Sequence, residues 1–109
     1  SHEMDRSMAA GASDLVMPDV MKIGGVSGWM RAAGLAEARG LPMSCHLFPE
    51  VSAHLLSVTP TAHFLEYVDW ANPVLRHAVT VQDGRVAPIA ANGIGLEWDE
   101  AAVEQFEVL

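Results

Sequence analysis

The chain holds 109 residues, half of them hydrophobic and 18% charged, with a formal net charge of −8. That length suits one small domain. The acidic balance, with six scattered Lys and Arg, excludes the clustered cationic footprint of a nucleic-acid binder and disfavours adsorption to anionic membranes.

Cys45 is the single cysteine, so no internal disulfide can form, and no apolar run reaches the roughly 18 residues of a membrane span. A reducing, cytoplasmic setting is therefore expected. Residues 3–11 read as the end of a helix, with Met4, Met8 and Ala9 on one face and Gly11 as a left-handed stop. DLVMPDV, residues 14–20, has the unbroken apolar character of a strand buried on both faces. IGGVSG bends the chain, and Ser27 is the expected cap of a helix that runs to Gly40. LPMSCHL (41–47) predicts a second strand, PEVSAHLLSVT (49–59) a helix with Pro49 in its first turn, and HFLEYVD (63–69) a third strand. Alternating helices and strands with short loops are the pattern of a parallel α/β sheet. After Trp70 the texture changes. Asp83-Gly84 between two alternating apolar runs signals a hairpin, and a short helix is expected from about Asp99, capped by its own carboxylates.

Each predicted strand carries a titratable residue near its C-terminal end: Asp19, His46 and Glu66, separated by 27 and 20 residues. These intervals approach the roughly 30 residues of one unit of a (β/α)₈ barrel, whose active sites lie at that rim. Neighbouring strand ends lie about 5 Å apart, so Asp19 and His46 can meet. Taken alone, LPMSCHLFPE favours a core histidine with one hydrogen-bond partner; three such residues on consecutive strand ends are harder to dismiss, although fourteen carboxylates leave room for coincidence. Cys45 and His46 are strand neighbours that point to opposite faces, which favours a packing thiol over a nucleophile–base pair. Lys22 reads as a lysine at a strand end. His54 and His63 are spaced too widely for a zinc pair, and Met17, Met21 and Met43 read as core filler. Gly24-Gly25 is a turn, since a bare pair of glycines lacks the longer pattern of a phosphate cradle.

VMPDVMKIGGVSGW, PMSCHLFPEVSAHLL and TPTAHFLEYVD resemble the sixth, seventh and eighth barrel strands of the mandelate racemase group within the enolase superfamily. The resemblance implies an α/β fold: the last three βα units of a (β/α)₈ TIM barrel over residues 1–75. Residues 76–109 then form a C-terminal extension with a hairpin and a short helix returning toward a capping domain. It implies removal of the α-proton of a 2-hydroxy carboxylate through an enolate. His46 matches the general base, Asp19 the partner that orients it, and Glu66 the carboxylic acid that hydrogen-bonds the enolate oxygen. That last role requires Glu66 to be protonated, and so an expected upward shift from a shielded site. Racemisation is the leading reading, and dehydration of an acid sugar by the same His46–Asp19 pair is the alternative. The related muconate-lactonizing type carries a lysine where Asp19 stands.

The resemblance also implies Mg²⁺, held by three carboxylates from earlier strands, and this chain offers no metal ligands of its own. The expectation is therefore a C-terminal fragment of a larger enzyme, inactive alone, which either assembles with copies of itself or rearranges its tail to cover its unpaired strand edges. A non-catalytic assembly module is the reading from another class.

Overall fold

The computed structural model describes residues 2–108. Three segments run parallel. Val16 pairs with Met43, Asp19 with His46, and Met43 with Ala62. The first two segments keep one register, with Val16 N–H donating to Pro42 O, Ser44 N–H to Val16 O and His46 N–H to Pro18 O. Pro18 stands where the next donor toward Ser44 O would lie, and lacking an N–H it leaves the pairing as isolated bridges rather than long strands.

The register between the second and third segments slips. Met43 N–H donates to Thr61 O, and two residues later Cys45 N–H donates to Phe64 O, three residues further on. One extra residue is therefore taken up at His63-Phe64, which amounts to a bulge. Beyond the bulge the faces of the third segment are exchanged relative to the second. Leu65 then packs with Cys45 against the core, and Glu66 comes to the level of His46-Leu47.

Helices α1 (His2–Ala9), α2 (Gly25–Ala38) and α3 (Pro49–Ser57) bury one side of these segments. Met43, Cys45 and Val16 meet Trp29 and the small residues Ala32, Ala33 and Ala36, which let α2 approach closely. Trp29 is fully buried, and its Nε1–H donates to Thr59 Oγ1 at 3.0 Å, while that hydroxyl donates to Leu55 O. Burying an indole of about 200 Å² contributes up to ~5 kcal/mol at ~25 cal/mol per Å².

Helix α2 starts two residues before the expected cap. Gly24 and Gly25 both hold positive φ, 98° and 66°, so the chain turns directly into the helix and Ser27 lies inside it. Its end matches a Schellman closure: Gly40, at φ 62°, donates to Glu37 O while Leu41 N–H reaches Ala36 O. The opposite side of the parallel segments is uncovered. Met17 and Met21, expected in the core, are 48% and 68% exposed there, with Met17 bordered only loosely by Glu3 and Met4 of α1; of the three methionines expected inside, Met43 is the one buried in the core.

Strands β1 (Val81–Gln82) and β2 (Arg85–Val86) pair antiparallel across Asp83-Gly84, both at positive φ. Helix α4 (Glu100–Gln105) is capped by Asp99, whose Oδ1 accepts from Ala102 N–H. The tail is tied to the third segment through Tyr67, whose hydroxyl donates to Val79 O, and it returns so that Trp98 pairs with Leu75. A radius of gyration of 15.5 Å, against about 13 Å for a compact chain of this length, reflects this extended arrangement. No helix among the described residues is long and apolar enough to cross a membrane.

Candidate active site

The constant register of the first two segments sets Asp19 beside His46. His46 Nδ1 lies 2.9 Å from Asp19 Oδ2. The other carboxylate oxygen accepts from Met21 N–H at 2.8 Å and Lys22 N–H at 3.3 Å, a turn closed by the side chain itself. An ionised carboxylate can only accept, so the ring donates its Nδ1–H, and in the neutral imidazole Nε2 is then a bare acceptor. Burial pushes the Asp19 carboxyl up. The hydrogen bonds from His46, Met21 and Lys22, with the Lys22 charge, outweigh that and hold it below its ordinary value of 3.8. Lys22 Nζ is 3.9 Å from Oδ2 and its side chain is 79% exposed, so it is a distant and well-solvated partner.

Asp19 is 7% exposed and the His46 side chain 37%, which makes a buried anion behind an accessible ring. The pair borders a depression of about 360 Å³, also lined by Glu3, Met4, Met17, Lys22 and Ile23. A larger depression of about 830 Å³ follows the hairpin, with Asp83 and Arg85 in its wall.

Glu66 does not line the dyad's depression. Its Oε2 accepts from Leu47 N–H at 2.8 Å, and its own N–H donates to Cys45 Sγ at 3.2 Å. Leu47 N–H is next in the series that Met43 and Cys45 began toward the third segment, and a side-chain carboxylate takes the place of a backbone carbonyl there. Leu47 and Phe48 both adopt left-handed conformations, φ 57° and 50°, and so end the strand immediately after His46. The change of direction before Pro49 was expected, but neither residue is glycine, so nothing in the sequence signals the left-handed conformations.

Cys45 is wholly buried on the helical side, away from the His46 ring, as strand alternation requires. His54 Nε2 contacts Ile94 O, and His63 Nδ1 contacts Ser44 Oγ, so both serve local contacts. Among the described residues no group of three or more His, Cys, Asp or Glu is placed to hold a metal ion. Asp19 Oδ1 accepts two backbone N–H groups and Oδ2 meets the His46 ring. Sequence reasoning missed Glu3, an ordinary acidic residue of a first helical turn, and Ser52, a buried serine of α3.

Comparison with known proteins gives a consistent picture. The sequence pattern of the enolase C-terminal domain-like family matches residues 1–102. An enolase from alpha pretobacterium bal199, solved with bound Mg, superposes with a TM-score of 0.92 at 55% identity, over 95% of this chain and 29% of that one. An enolase from Bradyrhizobium, complexed with magnesium and mandelic acid, also gives 0.92 at 49% identity, over 99% of this chain and 30% of that one. Among curated relatives, the L-talarate/galactarate dehydratase of Salmonella typhimurium is 31% identical over 100 residues, 92% of this chain and 25% of that protein. The chain spans about a quarter of the length of the curated relatives it matches.

Proposed function

The chain belongs to the enolase C-terminal domain-like family, and from that membership we propose that it carries the acid–base part of an enzyme that abstracts the α-proton of a 2-hydroxy carboxylate. Residues 1–75 would form the last three βα units of its barrel and residues 76–109 an extension. The carrying observation is the 2.9 Å contact between His46 Nδ1 and Asp19 Oδ2, which leaves Nε2 bare at an accessible rim.

In this reading the substrate C–H bond breaks, a new N–H bond forms at His46 Nε2, and the electron pair moves into the carboxylate to give an enolate. The buried anion of Asp19 holds the ring tautomer and balances the imidazolium as it forms. Glu66, whose Oε2 accepts from Leu47 N–H, would donate an Oε1–H hydrogen bond to the enolate oxygen. Magnesium accompanies two structural neighbours, and as a Lewis acid it would stabilise enolate charge. In this reading its ligands would come from other sequence of the parent protein. Alone, the 109-residue chain should then lack turnover.

Delivery of a proton to the face opposite His46, by an acid supplied from elsewhere in the parent protein, would give racemisation, which the neighbour's mandelic acid complex favours. The curated dehydratases favour a second reading, in which the 3-hydroxyl leaves after the same first step. Incubating the parent protein and Mg²⁺ with mandelate and with galactarate separates them: loss of optical rotation marks a racemase, a 2-oxo product a dehydratase. Neither change on any 2-hydroxy acid would end the proposal. Self-assembly over the exposed side of Met17 and Phe64 is a further part of the reading; a concentration-independent monomer in sedimentation would dismiss it.

A further inference from the structure

Leu47, the residue after His46, has both polar ends of its backbone held by side chains. Its N–H donates to Glu66 Oε2 at 2.8 Å, and its carbonyl accepts from the Ser52 hydroxyl at 2.8 Å. Ser52 is fully buried, and its own N–H donates to Phe48 O. A serine inside a helix commonly bonds the carbonyl four residues back. Ser52 instead reaches five back, past the helix start at Pro49, to a residue in the left-handed turn. That joins the positions before the cap and in the second turn of a helix, where an apolar staple is usual. The turn it closes is unfavourable for two successive residues with side chains, so it persists only where its surroundings over-determine it.

We propose that Ser52 is a positioning residue for the His46 base: by fastening the Leu47 carbonyl it holds the left-handed turn that aims the imidazole at Asp19 and the Leu47 amide at Glu66. This rests on the functional reading above. Ser52 touches neither substrate nor the reacting atoms. Without its hydroxyl, the Leu47 carbonyl loses its partner, the turn relaxes toward ordinary φ, and the base and acid lose their fixed separation.

The test uses the chain labelled with [¹⁵N]histidine. Imidazole nitrogen shifts read the His46 tautomer, and amide exchange reads Leu47. Thr59→Val is the control, since it removes another buried hydroxyl bond on the same side without touching the residues that flank His46. Ser52→Ala should reduce the dominance of the Nδ1–H tautomer and speed Leu47 exchange by about three- to tenfold. Thr59→Val should leave both at wild-type values, and Ser52→Thr should restore them. Should Ser52→Ala not fold, Ser52→Cys, with a weak donor of similar size, is read the same way. A His46 spectrum and Leu47 exchange unchanged in Ser52→Ala, or changed equally in Thr59→Val, overturns the proposal. Asp19→Asn separates the two levels. If it alters the His46 spectrum while Ser52→Ala does not, only the Ser52 role falls. If it alters nothing, the dyad reading falls and takes this one with it.

Discussion

Asp19 and His46 are joined twice by one register: the His46 N–H donates to Pro18 O, and its ring nitrogen meets the Asp19 carboxylate 2.9 Å away. The backbone pairing thus brings the two side chains within reach of each other. Asp19→Asn keeps the shape but can donate to the ring and so allow the wrong tautomer. In the parent enzyme it should lower kcat by about 10²–10⁴-fold with a much smaller change in KM. Steady-state kinetics check this, and an unchanged kcat would deny Asp19 its role.

Asp19 also makes a pH prediction. Its folded-state carboxyl lies below the ordinary 3.8, because the donors from His46, Met21 and Lys22 outweigh the opposing effect of burial. Its contribution to stability is therefore complete above the unfolded value and is lost as pH falls through the folded one. The difference in urea midpoint between wild type and Asp19→Asn should be constant near neutrality and shrink below about pH 4. A difference that stays constant into stronger acid would contradict the assignment.

Two glycines of α2 should respond oppositely to alanine. A Cβ on Gly28 would sit 1.9 Å from the Ile23 carbonyl oxygen, whereas one on Gly34 meets nothing within 4 Å. Gly28→Ala should cost about 1–3 kcal/mol or more through overpacking against backbone. Gly34→Ala should gain up to about 1 kcal/mol from helix propensity. Denaturant titration of both variants checks the close contact between α2 and the turn that follows Asp19.

The Cys45 thiol should be inert in the folded chain. Burial is the main influence that pushes it up, and its sulfur accepts the Glu66 N–H within the core. A thiol kept protonated and covered reacts slowly. A disulfide reagent at neutral pH should label it only after denaturant is added, and rapid labelling of the native chain would show an open core.

The order of helices and parallel segments was legible because each βα step repeats apolar runs, turns and caps at short range. The dyad was legible because an even register carries Asp19 to His46 across one helix. The long strands were not reached, since Pro18 removes a donor that no periodicity argument weighs. The early start of α2 was missed because a cap is sought in Ser27, while two glycines at positive φ make one unnecessary. The bulge at His63-Phe64 contains no Gly or Pro, and the turn at Leu47-Phe48 has no residue suited to positive φ. Both are imposed by tertiary contacts. Glu66 was singled out for its place at a strand end, and the extra residue at His63-Phe64 is what brings it to the level of His46-Leu47. Met17 and Met21 were misjudged because an apolar strand face was assumed to be covered.

The most direct measurement is solvent exchange. The parent protein with Mg²⁺ in D₂O is given each enantiomer of mandelate, and the α-deuterium content is followed for wild type and His46→Asn. With His46 as the base on one face, the variant loses exchange into one enantiomer only. Equal exchange of both enantiomers by the variant and the wild type would show that the proton leaves to another group.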